Sequence, residues 1–229
     1  HDLKTPIRAE ILAMELLLKG KFGNLSEEQN SIIQDILISS RYMFNMVDNL
    51  LYTYRHESGT IELKKDWFNI NESIESCYKE LKYLIETKKQ EVILDFQSAD
   101  LQVYADIMEI KRVITNLFSN AVNYTQENGK IIVRSEIKDN NALISFIDNG
   151  KGISKEDLAE LFFKYKSNAK KFKQIGTGLG LYLSKKIIES HSGTITVESI
   201  EGKGSKFSFT VPLTSSPVKS DNSLIKFCL

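Results

Sequence analysis

The chain begins with the sequence His1-Asp2-Leu3-Lys4-Thr5-Pro6, in which a histidine is followed at once by a carboxylate. Neutral imidazole is a nucleophile near pH 7, and the adjacent Asp2 is close enough to orient His1 or to accept its proton. Thr5 follows one helical turn later on the same helix face. Pro6 lacks an N–H and crowds the carbonyl of Asp2, so we expect a kink beside His1. By itself, a histidine at a terminus can also simply mark where the chain begins.

The composition limits the class of protein. The chain has 229 residues, 41% of them hydrophobic, and its 30 basic side chains balance 30 acidic ones. This length fits one large or two small domains, and the charge balance does not indicate a nucleic-acid partner or an anionic membrane surface. Cys77 and Cys228 form neither a metal-binding spacing nor a disulfide framework, so we expect a reducing cytoplasm. No apolar run is long enough to cross a bilayer.

Two helices are predicted at the start of the chain. An apolar stripe indicates a first helix over residues 1–20, and the capping box Ser26-Glu-Glu-Gln29 starts a second helix that runs to about residue 57. The second helix carries a heptad seam. Its two series are Ile33, Ser40, Val47, Tyr54 and Ile36, Met43, Leu50. We expect a homodimer that forms a four-helix bundle, because two helices cannot bury such wide apolar faces alone. The alternatives are an intramolecular coiled coil and packing on a second domain.

The pattern changes from helical to mixed α and β after Glu57-Ser58-Gly59. We therefore predict a helical hairpin domain at 1–58, a second domain at 59–213 and a tail at 214–229. Periodicity and turn residues predict the elements of the second domain. The predicted strands are 60–68, 91–97, 101–105, 130–138, 142–148, 194–199 and 205–212. The predicted helices are 71–89, 107–126, 154–163 and 178–192, with Asn71 as the cap of the first.

A cluster of asparagines occupies one face of the predicted 107–126 helix. The residues that share this face by their spacing are Asn116, Asn120, Asn123 and Tyr124. Asparagine is a mediocre helix former, so the cluster indicates either polar solvation or a metal site. An amide carbonyl is a hard oxygen ligand suited to Mg²⁺, which takes waters and phosphate oxygens as its other ligands.

Two glycine-containing motifs follow the asparagine cluster. Asp148-Asn-Gly150-Lys-Gly152 ends an apolar strand. It is either a simple turn or a place where a buried carboxylate accepts a hydrogen bond from an adenine amino group. Gly176-Thr177-Gly178-Leu179-Gly180-Leu181 opens a helix, where free N–H groups and the positive dipole end suit phosphate. It lacks both the Lys-Ser/Thr of a P-loop and the spacing of the dinucleotide fingerprint.

Taken in order, these motifs resemble those of the sensor histidine kinases of two-component systems. His-acid-x-x-Thr-Pro resembles the phosphoacceptor box, and residues 116–124 resemble the asparagine box. Residues 148–152 and 176–181 resemble the two glycine motifs, and Leu161-Phe-Phe-Lys-Tyr165 is similar to the phenylalanine box and the mobile lid. The resemblance runs from His1 to about Pro212. It implies an all-α helical hairpin, a four-helix bundle on dimerisation, followed by an α/β two-layer sandwich of the Bergerat ATP-binding type.

The resemblance also implies cofactors and site roles. ATP and Mg²⁺ are the implied cofactors, with Asn120 holding the metal, Tyr124 packing on adenine and Asp148 binding the adenine amino group. The implied catalytic residues are His1, Asp2, Thr5 and Asn116. The other implied nucleotide contacts are Asn123, Gly150, Gly152, Lys166, Gly176, Thr177, Gly178, Leu179, Gly180 and Leu181.

Some positions depart from the family pattern. Asn123 stands where a basic residue often meets phosphate, and Phe163 stands where an acid is common. The lid contains no arginine. Positive charge near the γ-phosphate must therefore come from Lys164, Lys166, Lys170 or Lys171, each a point charge without the bidentate grip of arginine. These departures bear on the catalytic rate more than on the fold.

We therefore predict ATP-dependent autophosphorylation on His1 and phosphotransfer to the aspartate of a response-regulator receiver domain. The pattern His-acid-x-x-Thr further implies phosphatase activity toward that regulator. The alternatives are a non-catalytic dimeric scaffold or phosphatase, and an ATPase of the gyrase or chaperone type. The chain starts without Met and inside a motif, so we read it as a cytoplasmic fragment whose parent protein could be membrane-anchored.

Overall fold

A computed structural model describes residues 4–57, 62–163 and 179–213. The first of these ranges is a helical hairpin made of α1 (Lys4–Leu18) and α2 (Glu27–Glu57). The predicted capping box is confirmed, because the N–H of Ser26 donates to Gln29 Oε1 at 2.9 Å and the N–H of Gln29 donates to Ser26 Oγ at 3.2 Å. These two bonds fix the residue at which α2 begins. No helix within the described ranges is both long and apolar enough to cross a membrane.

The hairpin leaves one apolar side of α2 in contact with solvent. Leu37 and Ser40 are buried, but Ile36, Met43 and Leu50 are 38%, 43% and 47% exposed. Of the two predicted heptad series, the one formed by Ile36, Met43 and Leu50 therefore faces outward in the single chain. An exposed apolar stripe of this kind marks a surface that a further helix can cover.

The second domain alternates strands and helices. Its strands are β1 (Asp66–Asn69), β2 (Glu91–Phe96), β3 (Gln102–Ala105), β4 (Lys130–Lys138), β5 (Asn141–Asp148), β6 (Ile195–Ile200) and β7 (Gly204–Pro212). Its helices are α3 (Ile70–Thr87), α4 (Ile107–Tyr124), α5 (Lys155–Glu160) and α6 (Gly180–Ser190). The first strand is shorter than the predicted 60–68. The predicted boundary at residues 58 and 59 and the tail at 214–229 lie outside the described residues.

Five strands form one sheet in the order β2-β4-β5-β7-β6. β2 is parallel to β4, and the other pairs are antiparallel. β1 and β3 form a separate antiparallel ribbon. Helices α3, α4 and α6 share one hydrophobic core with the sheet, in which the rings of Phe118 on α4 and Phe146 on β5 have centroids 5.7 Å apart. The predicted fold, a helical hairpin followed by a two-layer α/β sandwich, is confirmed.

The cap of α3 corrects one prediction. Asn69, rather than Asn71, is the N-cap, and its side chain accepts from the N–H of Asn71 at 3.1 Å. The Asn71 side chain is instead buried, where its amide donates to the carbonyl of Ser98 at 2.7 Å and accepts from Ser135 Oγ at 2.7 Å. Both asparagines suit an N-cap position, so the local sequence does not show which of the two caps the helix.

Candidate functional site

A cavity of about 1140 Å³ lies between α2 and the α/β domain. Its walls on the α/β side are the polar face of α4, the end of β5 with the loop after it, and the start of α6. The predicted site residues that line it are Asn116, Asn120, Asn123, Tyr124, Asp148, Gly152, Gly180 and Leu181. Segments far apart in the sequence therefore contribute to one concave site, which is the usual form of a small-molecule site.

The orientation of α4 follows from its cap and its apolar face. The Asp106 side chain caps the helix by accepting from the N–H groups of Met108 and Glu109, at 3.0 and 3.3 Å. The residues of α4 that are buried in the core include Val113, Ile114, Leu117 and Phe118. Because these side chains pack into the core, the asparagine face of the helix is left toward the cavity.

Asn116 also has a structural partner. Its amide nitrogen donates to Ser184 Oγ of α6 at 2.9 Å. A Cβ on Gly180 would lie 2.4 Å from Asn116 Oδ1, so a larger residue would displace the Asn116 amide from its place between α4 and α6. Asn116 and Gly180 together set the spacing of the two helices that form the cavity. Leu179, by contrast, is buried at 1% exposure and does not line the cavity.

Asp148 ends β5 and is 8% exposed. Its Oδ1 accepts from the N–H of Gly150 at 2.9 Å. Burial raises the pKa of the Asp148 carboxyl, against the opposing effect of hydrogen bonds from the backbone N–H groups of Gly150 and Ser205. A Cβ on Gly150 would lie 2.5 Å from the carbonyl oxygen of Tyr124, so glycine permits this loop to lie against the end of α4. The site thus presents a buried carboxylate, a group that binds an amino donor strongly.

Lys151 is a site residue that the sequence motifs did not single out. Its Nζ lies 4.5 Å from the centroid of the Tyr124 ring, and its N–H donates to the Tyr124 carbonyl at 3.4 Å. Burial, followed by the charge of Lys88, lowers the pKa of the Lys151 ammonium. The cation–π contact orients the tyrosine ring at the cavity wall. In the sequence, Lys151 is only the variable position between two motif glycines.

Lys88 and Gln90 fix the end of α4 and were also missed. The Lys88 ammonium donates to the carbonyls of Val122, Asn123 and Thr125 at 2.8, 3.1 and 3.2 Å. The Gln90 amide donates to Val122 and Thr125 at 3.0 and 2.9 Å. The last carbonyls of a helix lack partners within the helix and favour a cation. These two side chains therefore hold the turn that carries Asn123 and Tyr124. This role is not predictable from the sequence, because Lys88-Lys-Gln90 after a predicted helix indicates only a solvated turn.

The donor set around Asn120 fits Mg²⁺. Asn120 offers one amide oxygen on the cavity wall, beside Asn116. Among the described residues, no group of three His, Cys, Asp or Glu side chains is arranged to hold a metal. An ion bound at Asn120 would therefore take its other ligands from waters and phosphate oxygens, which is the coordination that Mg²⁺ tolerates and that soft transition metals do not.

Several predicted residues lie outside the described ranges, namely His1, Asp2, Lys166, Gly176, Thr177 and Gly178. Thr5 is described, and it is exposed on the first turn of α1. His191 is buried, accepting from the N–H of Asp106 at 3.0 Å through Nε2 and lying 2.8 Å from the carbonyl of Ile187 through Nδ1. Both ring nitrogens of His191 are therefore occupied within the fold, and this histidine is not a candidate nucleophile.

Two family models match the chain. Residues 1–59 match the "His Kinase A (phospho-acceptor) domain", and residues 105–215 match the "Histidine kinase-, DNA gyrase B-, and HSP90-like ATPase". The sensor histidine kinase WalK of Bacillus subtilis is 30% identical over 218 residues, which cover 93% of this chain and 35% of WalK. The chain spans 27 to 35% of the length of four curated relatives that it matches, WalK among them.

Solved structures of histidine kinases are also similar to this chain. The catalytic domain of the histidine kinase ThkA is 32% identical, with a TM-score of 0.58 over 66% of this chain and 96% of that domain. The structure of ThkA in complex with the response regulator protein TrrA is 26% identical, with a TM-score of 0.66 over 93% of this chain and 62% of that chain. Both the helical hairpin and the α/β domain are thus covered by one matched structure.

Proposed function

Because this chain belongs to the sensor histidine kinase family of two-component systems, we propose that it transfers the γ-phosphate of ATP to His1. The observation that carries this proposal is the pairing of a phosphoacceptor-domain match with a cavity lined by predicted ATP contacts, among them Asn120, Tyr124 and Asp148. A gyrase-type or chaperone-type ATPase would have no need of residues 1–59. A scaffold without ATP binding would have no need of Asp148 and its surrounding glycines.

The proposed reaction is an in-line displacement at phosphorus. A neutral ring nitrogen of His1 attacks the γ-phosphorus, the bond to the β,γ-bridging oxygen breaks, and ADP leaves with that electron pair. Asp2 orients the imidazole ring or accepts the proton of its other nitrogen. Asp148 accepts from the adenine amino group and Tyr124 packs on the base. Bound Mg²⁺ would supply charge neutralisation at the phosphates, with Asn120 as its protein ligand.

The proposed phosphate acceptor after His1 is the aspartate of a response-regulator receiver domain. Support comes from the solved complex of ThkA with the response regulator protein TrrA. The direct test of the kinase step is incubation with γ-labelled ATP, from which we expect label on the chain that is labile to acid and stable to alkali. Label that survives acid would indicate another acceptor group and would contradict the proposal.

We further propose a homodimer through the exposed stripe of α2. Leu50→Glu should convert the dimer into a monomer, because it places an unpaired charge in an apolar interface, at a cost of several kcal/mol. Leu50 is 47% exposed in the single chain, so the monomer itself should tolerate the change. Light scattering measures the mass. Gln34→Glu is the matched control, because residue 34 is exposed and far from this stripe around the helix. A wild-type chain that remains monomeric at high concentration would contradict the four-helix bundle.

Thr5 is proposed to act in phosphate removal from the regulator. In the sequence it follows His1 by four residues, the spacing at which two side chains share one face of a helix. In a docked complex its hydroxyl could hydrogen-bond a water that lies in line with the aspartyl phosphate, which accelerates hydrolysis by orientation and needs no strong base. We expect Thr5→Ala to keep autophosphorylation and forward transfer, while regulator dephosphorylation slows about tenfold, or about 1.4 kcal/mol in barrier terms.

The three reactions of one Thr5→Ala preparation can be measured side by side. Label on His1, label passed to the regulator and loss of label from the isolated phosphorylated regulator are followed separately. If all of them fall equally, Thr5 shapes the helix beside Pro6 and the phosphatase proposal should be dropped.

A further inference from the structure

Lys151 lies where three segments meet at one end of the cavity. Its N–H donates to the carbonyl of Tyr124, the last residue of α4, at 3.4 Å. Its own carbonyl accepts from the N–H of Gly202, in the turn between β6 and β7, at 2.6 Å. A Cβ on Gly152 would overlap the carbonyl oxygen of Ile200, so the loop also lies directly against the end of β6. The backbone of Lys151 is therefore fixed from two sides.

The side chain of Lys151 lies against the ring of Tyr124. Its Nζ is placed over the ring, 4.5 Å from the centroid, and both side chains are half-buried in the cavity wall. The face of an aromatic ring attracts a cation, and the attraction grows as water is excluded from the pair. Because the backbone on both sides of the contact is fixed, the ammonium restrains a ring that would otherwise be free to rotate about its side-chain bonds.

This contact lies at the end of the cavity that is remote from the start of α6. A Cβ on Gly180, the first residue of α6, would overlap the amide of Asn116, so α6 begins level with Asn116. Tyr124 follows eight residues later on α4, about 12 Å along the helix. Under the proposed function, the start of α6 meets the phosphates and Tyr124 packs on the base. Lys151 therefore belongs to the base end of the site, although a lysine beside ATP usually binds phosphate.

We propose that Lys151 is a positioning residue for the base of the bound nucleotide: its ammonium holds the ring of Tyr124 by one face, and the base stacks on the other face. This inference rests on the proposed binding of ATP. A ring that is fixed before the base arrives loses less conformational entropy when the base binds. The positive charge also draws π-electron density away from the open face, which weakens the repulsion between the ring and a stacked base. Lys151 thus raises the affinity for ATP through the tyrosine and without contact to the phosphates.

Two variants of Lys151 test the role of its charge. Lys151→Met removes the charge and keeps an unbranched side chain of similar length. We expect it to weaken ATP binding about fivefold in a calorimetric titration of the full chain with Mg²⁺. Lys151→Arg should bind ATP within about twofold of the wild type, because a guanidinium also packs on aromatic faces. A loss in Lys151→Met that Lys151→Arg shares in full would overturn the proposal.

Lys155→Met is the matched control. Lys155 is exposed at the start of α5, four residues after Lys151, and its side chain does not line the cavity. This variant changes the net charge of the chain by the same amount, so a long-range effect of charge on ATP should appear in it as well. We expect its ATP affinity to equal that of the wild type.

A double-mutant cycle separates an effect through the ring from a direct effect on the nucleotide. In a Tyr124→Phe chain, which keeps the ring, Lys151→Met should weaken ATP binding by the same factor as in the wild type. In a Tyr124→Leu chain it should cause no further loss, because the partner of the ammonium is already absent. An equal loss in the Tyr124→Leu chain, or no loss in the Tyr124→Phe chain, would overturn the proposal.

The same titrations distinguish a failure of this inference from a failure of the proposed function. Equal ATP affinity of the wild type and Lys151→Met would overturn the role of Lys151 and leave ATP binding intact. Tighter binding by Lys151→Met would also overturn that role, because the lysine would then occupy the place of the base. Absence of ATP binding by the wild type would contradict both the proposed function and the inference that rests on it.

Discussion

Asp148→Asn should weaken ATP binding about tenfold or more, because a mispaired buried polar group costs on the order of 1–3 kcal/mol. An amide nitrogen would face the adenine amino group, placing donor against donor. The amide oxygen can still accept from the N–H of Gly150, which the carboxylate does at 2.9 Å. The loop should therefore keep its shape, and the loss should fall on the nucleotide. Calorimetric titration with ATP and Mg²⁺ measures the affinity.

Asp139→Asn is the matched control for this change. Asp139 precedes β5 in the turn between β4 and β5, at the opposite end of that strand from Asp148, and its φ of 47° suits asparagine. The control should bind ATP as the wild type does. Equal affinity of the wild type and Asp148→Asn would refute the adenine contact. A large fall in melting temperature of Asp148→Asn without nucleotide would assign the carboxylate to folding instead.

The features that local patterns specify were predictable. The capping box at Ser26 and Gln29 is a reciprocal pair of bonds over three residues, so the sequence contains both partners. The common face of Asn116, Asn120 and Asn123 follows from helical periodicity alone. The position of Asp148 follows from an apolar strand that ends in a turn. In each case the controlling interaction lies within a few residues along the chain.

The features that depend on distant contacts were not predictable. Lys88 reaches the carbonyl of Val122 across 34 positions of the chain, and Asp48 meets Arg112 across 64. A charged side chain in an isolated sequence indicates only an exposed surface. The sequence predicts Asn71 as a cap, because its partners in the structure, Ser98 and Ser135, become its neighbours only when the sheet forms. Such assignments need the fold before the contact can be inferred.

The contact between the hairpin and the asparagine face of α4 also becomes visible only in the folded structure. Both walls of the cavity contain polar residues, Asn45 and Asn49 from α2 and Asn116 and Asn120 from α4. Sequence order places these pairs in different domains. The structure places Asn116 and Asn120 across one cavity from the helical hairpin that carries Thr5.

His1→Gln shows whether His1 is the residue that receives phosphate from ATP. The wild-type chain and two variants are incubated with γ-labelled ATP and Mg²⁺, and acid-labile label on each chain is counted. His56→Gln serves as the control, because it removes another of the three histidines of the chain. We expect equal label on the wild type and His56→Gln, and only background on His1→Gln, because glutamine has no nucleophilic ring nitrogen. Label on His1→Gln at the wild-type level would show that His1 is not the phosphate acceptor.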